Sequence, residues 1–153
     1  MPLKAILATG DRLVGAGVRS FEPVIEELIG AARSEIQIAA YSFDPSFVRI
    51  LENLVHIGRT GVGITIITRA ISAQHSKVQT ALKRLSEDQR VFEFPDSPTG
   101  CLHMKVLVVD RDNAIVGSAN FTMGGLVSNH ELGVWLTGPE AWQIGALLDR
   151  LIA

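Results

Sequence analysis

The pattern of apolar and polar positions sharpens at residue 20. Ser20 followed by Pro23 marks a helix start, and Val24, Leu28, Ile29 and Ala32 recur on one helical face. Glu35 to Tyr41 reads as a buried strand. Pro45 and Ser46 open a second helix whose apolar stripe is Phe47, Ile50, Leu51, Leu54 and Val55, with Gly58 and Gly61 ending it. The β-branched run from Val62 to Thr68 predicts the next strand. Residues 69 to 77 form a polar loop, and a third helix runs to about Ser86. Val91 to Phe94 is a short strand, and Pro95 to Gly100 carries turn chemistry.

The second half changes rhythm. His103 to Val109 is a strongly apolar strand, and Arg111-Asp112-Asn113 turns the chain into Ala114 to Val116 as a hairpin. Gly117 to Gly125 is irregular, with Gly117 allowing a sharp bend. Leu132 to Leu136 is a strand, and Pro139 opens the last helix. Helices alternate with strands first, and strands cluster afterwards. That order predicts an α/β fold: one domain, a mixed β-sheet, and helices on both faces. Residues 1–19 show no clear period and read as an N-terminal arm or edge segment ahead of a domain at 20–153. Trp135 and Trp142 lie on an apolar strand and helix, which predicts core positions for both.

Composition narrows the function classes. Of 153 residues, 47% are apolar, enough for a sizeable core. The formal net charge is −2, so any anion-binding site must be made locally by a few placed cations. Cys101 is the only cysteine, which excludes an intrachain disulfide and fits a reducing compartment. No signal-peptide pattern opens the chain, and no stretch approaches the ~20 apolar residues of a membrane span. These features predict a cytoplasmic protein without stable membrane association.

Chemistry concentrates in one stretch. His103 and Lys105 stand two apart on a strand, so an imidazole and an ammonium leave the same face. Asp110 follows at a spacing that suits a supporting role. Gly117-Ser118-Ala119-Asn120 then returns a hydroxyl and an amide toward the same place. A nucleophile or proton carrier, a cation and two neutral donors answer the needs of a phosphodiester at its anionic transition state. The four histidines, His56, His75, His103 and His130, lack metal-ligand spacing, and no paired carboxylates accompany them. Neither a metal nor another cofactor is expected. Arg69, His75 and Lys77, with Lys83 and Arg84, are candidates to bind substrate along a groove; a solvated helix face with its loop explains them equally well. His130 reads as a neighbour of Glu131, and nothing around Cys101 suggests an activated thiolate.

His-x-Lys-(x4)-Asp-(x6)-Gly-Ser-x-Asn resembles the signature of the phospholipase D superfamily. By accident it would arise in on the order of one chain in a million of this length, so the likeness is specific. Ala39-Ala40-Tyr41-Ser42-Phe43, the Gly61-Val62 strand entry, Asn120-Phe121-Thr122 and Asn129-His130-Glu131 resemble its small, single-motif bacterial endonuclease branch. The resemblance runs from about residue 20 to the C-terminus. It implies a phospholipase D-like fold, a homodimer with both motifs at the interface, and a phosphohistidine intermediate. It makes His103 the nucleophile in one subunit and the general acid in the other. Lys105 and Asn120 would hold phosphoryl oxygens, Ser118 would assist through its hydroxyl, and Glu131 would orient a histidine.

The chemistry independently asks for two copies. One histidine can form a covalent intermediate, but an acid must face it to protonate the leaving oxygen, and no second candidate stands nearby in the chain. The leading expectation is a metal-independent nuclease acting on DNA or RNA. A lipid phosphodiesterase using the same half-site is one alternative. A partner-gated nucleic-acid-binding module of a larger system is the other.

Overall fold

The computed structural model describes residues 1–153. Its centre is a seven-stranded mixed sheet, confirming the expected α/β architecture. The strands are β1 (Leu3–Thr9), β2 (Glu35–Ala40), β3 (Gly63–Thr68), β4 (Arg90–Glu93), β5 (Lys105–Val109), β6 (Asn113–Gly117) and β7 (Glu131–Thr137). The helices are α1 (Phe21–Gly30), α2 (Val48–Gly58), α3 (Ser76–Leu85) and α4 (Pro139–Leu151). In space the strands run β1-β7-β6-β5-β2-β3-β4. β2, β3 and β4 are parallel and joined by α2 and α3, as crossover connections require. β5, β6 and β7 form antiparallel pairs, and β1 closes the edge antiparallel to β7. Residues 3–9 are therefore an edge strand of the same sheet.

Two layers cover this sheet unequally. Phe21, Val24, Ile25, Leu28 and Ile29 give α1 a continuous buried stripe at helical spacing. Together with α2 and α3 they pack on Ile36, Ile38, Ile64, Ile66, Leu107 and Val109 in the main core. The opposite face carries only α4, which buries Ala141 and Leu148 against Ala39, Val106 and Val108. The β6–β7–β1 flank of that face is left open. Leu132 (58% exposed), Leu147 (50%) and Met104 (38%) show there.

Four local expectations need correction. The signature strand begins at Lys105, so His103 lies just before it. Trp135 is core, but Trp142 is 57% exposed on the outer side of α4. Ala32 falls beyond α1, past the Ala31 cap. Gly117 is not a left-handed bend. It is needed for space, because a Cβ there would lie 2.7 Å from the Leu132 carbonyl oxygen and 2.8 Å from the Gly133 Cα.

The β5–β6 hairpin turn has a specific cost and a specific remedy. Asp112 N–H donates to the Val109 carbonyl at 3.1 Å, and the central residues Asp110 and Arg111 have φ of 55° and 51°. Those are the angles of a type I′ turn, which matches strand twist but strains residues bearing a Cβ. Side-chain contacts hold both residues there. Arg111 binds the carboxylates of Glu35 and Asp149. Asp110 accepts from the N–H groups of Arg33 (2.9 Å), Ser34 (2.7 Å) and Glu35 (3.0 Å) and from the Ser34 hydroxyl (2.9 Å).

Partial burial opposes the Asp110 charge, yet the backbone donors of Glu35, Ser34 and Arg33 and the Ser34 hydroxyl outweigh it and hold the carboxyl below its ordinary pKa. A depressed folded-state pKa stabilises above the unfolded value, and the contribution disappears as pH falls through the folded one. Asp110→Asn should cost about 1–3 kcal/mol at neutral pH. In urea titrations the gap between wild type and variant should shrink as pH drops below about 4. An equal gap at both pH values would refute this account.

Candidate active site

The sheet's strand directions gather the signature at one edge. Ala40, the last residue of β2, pairs with Lys105, the first of β5. Gly117, ending β6, pairs with Gly133 near the start of β7, and Thr9, ending β1, pairs with Glu131. Residues entering β5 and β7 thus meet residues leaving β1, β2, β3 and β6. His103, Lys105, Ser118, Asn120 and Glu131 all belong to this edge. Asp110 does not: it follows β5 at the opposite edge, where its carboxylate anchors the turn into β2.

His103 and Lys105 converge. Lys105 Nζ lies 2.9 Å from His103 Nδ1. An ammonium can only donate, so in this contact the lysine is the donor and Nδ1 the acceptor. The imidazole itself is exposed, and the lysine stem is half-buried.

The return segment is held by aromatic packing. Phe43 forms an isolated bridge with Phe121, and the Phe43–Phe47 and Phe47–Phe121 ring centroids are each 5.2 Å apart. Asp44 caps the 3-10 turn at Pro45–Phe47 and accepts from the Met123 N–H at 3.0 Å. Asn120 sits inside this frame. A Cβ on Gly125 would lie 2.2 Å from the Asn120 carbonyl, so only glycine permits the approach. The Asn120 side-chain Oδ1 is buried without a hydrogen-bond partner. An unpaired buried amide oxygen is costly, which sets Asn120 apart from the saturated polar groups around it.

Ser118 engages the neighbouring strand. Its hydroxyl donates to the Leu132 carbonyl (3.2 Å) and accepts from the Leu132 N–H (3.1 Å), extending the β6–β7 ladder by one step. Glu131 opens β7 half-buried, and its carboxylate makes no hydrogen bond to His103.

The loop cations separate from one another. His75 caps α3 by accepting from the Lys77 N–H at 3.1 Å, and Lys77 is exposed on that helix. Neither hydrogen-bonds to the His103–Lys105 pair. Arg69 does reach the site, but its fork is occupied by Asp96 through two bonds of 2.7 Å. That pairing raises the already high Arg69 pKa and lowers that of Asp96. His130 has more to do than neighbour Glu131: it contacts Asp11 at 2.9 Å and ties down the loop after β1. No three His, Cys, Asp or Glu side chains cluster as metal ligands. Sequence reasoning missed Tyr41, whose ring lies 5.2 Å from that of His103. The Ala-Ala-Tyr-Ser-Phe segment was the available signal, but nothing in its spacing marks the tyrosine as a neighbour of the imidazole.

Known proteins resemble this chain in sequence and in fold. The family model described as "Cardiolipin synthase, PLD-like domain" matches residues 25–150. The DISARM protein DrmC of Bacillus paralicheniformis is 27% identical over 148 residues, covering 95% of this chain and 62% of that protein. The 5'-3' exonuclease PLD3 of Xenopus laevis is 32% identical over 120 residues, covering 69% of this chain and 24% of that protein. The chain thus spans less than two thirds of the length of these relatives. Among solved structures, the phospholipase D family member Nuc from Salmonella typhimurium superposes with a TM-score of 0.71 at 21% identity, covering 96% of this chain and 91% of that one. With most of its length matched by the family model, and with His103, Lys105, Ser118 and Asn120 of its signature gathered at one sheet edge, the chain belongs to the phospholipase D superfamily.

Proposed function

We propose that this protein is a metal-independent phosphodiesterase of the cytoplasm, a nuclease that hydrolyses DNA or RNA through a phosphohistidine at a homodimer interface. The observation that carries this reading is the 2.9 Å approach of Lys105 Nζ to His103 Nδ1 at an exposed sheet edge. It sets a fixed positive charge beside a nitrogen nucleophile. The similarity to a protein named an exonuclease supports nucleic acid as the substrate.

The reaction proceeds in two displacements. When substrate enters, Lys105 turns from His103 to a phosphoryl oxygen, and the Asn120 amide donates to another. The His103 lone pair forms an N–P bond while the P–O bond to the leaving nucleoside breaks. The partner subunit's His103, as imidazolium, gives its proton to that oxygen. Water then attacks phosphorus as the partner subunit's His103 recovers a proton from it. The N–P bond breaks and a phosphomonoester leaves.

Two observations support a second copy. No other imidazole stands at the site within one chain: His75 caps α3, His130 holds Asp11, and His56 is exposed on α2. An apolar groove of about 360 Å³ adjoins the signature strand, lined among others by Met104, Val116, Val134, Leu136, Ile144 and Leu147. Met104 lies between His103 and Lys105 in sequence, so a second copy seated on this groove lies beside the signature segment.

His103→Ala should lower cleavage on the order of 10³-fold or more while leaving the circular dichroism spectrum unchanged. The wild type should cut single-stranded DNA, duplex DNA or RNA equally well in EDTA. Turnover of phosphatidylcholine alone would replace the nuclease reading with a lipid one. Cleavage should trace a bell against pH, because one histidine must be neutral and its mate protonated; a flat profile between pH 5 and 8 contradicts the paired mechanism. Leu147→Glu should convert a dimer to a monomer in light scattering, with activity falling in parallel. A fully active monomer would rule out the shared site.

A further inference from the structure

Tyr41 leaves β2 immediately after Ala40, the residue paired with Lys105. Its ring meets that of His103 at 5.2 Å between centroids and an inclination of 58°. The guanidinium carbon of Arg69 lies 4.3 Å from the Tyr41 ring centroid. A planar cation over an aromatic face is held by the ring quadrupole as well as by contact. The cation is itself immobilised, since Arg69 Nε and Nη2 donate to the two oxygens of Asp96. Only 18% of the Arg69 side chain is exposed. Asp96 belongs to the loop that runs through Cys101 into His103.

Gln74 completes the frame. Its Nε2 donates to the Arg69 carbonyl (2.8 Å) and the Thr68 hydroxyl (3.1 Å), while its Oε1 accepts from the Phe43 N–H (3.0 Å). The segments that follow β2, β3 and β4 are thereby fastened together around one phenol ring. The Arg69 Nε and Nη2 edge is spent on a carboxylate, and its charge is balanced.

We infer that Tyr41, clamped by the Arg69–Asp96 pair, is a positioning residue that fixes the plane of the His103 imidazole. The need follows from where His103 sits. It precedes β5 and is exposed, so neither the sheet ladder nor the core restrains its ring. The Lys105 contact is lost when the ammonium turns to the phosphate. An imidazole free to rotate would spend little time aligned with phosphorus, and small misalignments of reacting groups are expensive. The Tyr41 wall blocks rotation on one side throughout the reaction.

The kinetic part of this inference rests on the phosphodiesterase reading, and its dynamic part does not. The test uses the whole protein with 13C-labelled histidine, measuring relaxation of the His103 ring carbon–proton pair in wild type, R69Q, R69K, Y41A and Y41F. R69Q touches neither His103 nor Lys105. It should nevertheless loosen the His103 ring and lower kcat about 10- to 100-fold, with KM and both limbs of the pH profile unchanged. R69K should behave like R69Q, because lysine offers neither the planar fork nor the stacking face. Y41A should loosen the ring, and Y41F should restore it, since the phenyl face is kept. An unaltered His103 ring in folded R69Q overturns the inference. So does a raised KM with kcat preserved, which would make Tyr41 and Arg69 a substrate platform. If wild type cleaves no phosphodiester while R69Q still frees the ring, the functional reading fails and the positioning arrangement stands.

Discussion

Everything at the candidate site depends on β5 being hydrogen-bonded antiparallel between β2 and β6. Its neighbours in the sheet could have run either way; only this direction puts the start of β5 where β2 and β6 end. Val106 to Val109 are buried on both faces, so the strand cannot slip without moving its whole apolar set into the wrong layer. The register thus fixes where His103 and Lys105 emerge, and the chemistry inherits its precision from hydrophobic packing several ångströms away.

The two ends of that strand are treated in opposite ways. At the far end, Asp110 is saturated by backbone and hydroxyl donors, and the strained turn is braced by the ion pairs of Arg111. At the near end, polar groups are left short of partners. Asn120 Oδ1 is buried and unpaired, and His103 is supported by one ammonium and one aromatic wall. One end of the strand is thus saturated and rigid, while the other keeps polar atoms short of partners.

The uneven covering of the sheet extends this logic to assembly. Three helices complete one face, whereas α4 alone covers the middle of the other and leaves an apolar groove beside the signature. In the proposed homodimer, the second copy would supply the missing imidazole and cover this open apolar flank. Membership of the phospholipase D superfamily, resting on residues 25–150, is consistent with that arrangement without by itself specifying the substrate.

Much of the fold was legible because its signals are local and periodic. The α1 stripe from Phe21 to Ile29, the β-branched run of β3 and the Pro139 helix start each declare themselves within a few residues. The His-x-Lys and Gly-Ser-x-Asn spacings likewise determined which side chains share the candidate site. Other features depend on distant parts of the chain. Gly117 looked like a bend, but its need is set by β7 pressing within 3 Å. Trp142 looked like core, but α4 rotates it outward. Ser118 carries a catalytic-looking hydroxyl that the Leu132 backbone occupies. Tyr41, Arg69 and Asp96 lie on three separate connections and become one assembly only when parallel and antiparallel strands end together. The sequence by itself determined the elements, the family and most of the side chains that meet at the candidate site, since these follow from short-range periodicity and spacing. Tertiary structure alone decided which polar groups are already satisfied and which remain free, because hydrogen-bond saturation is a property of neighbours brought together by the fold.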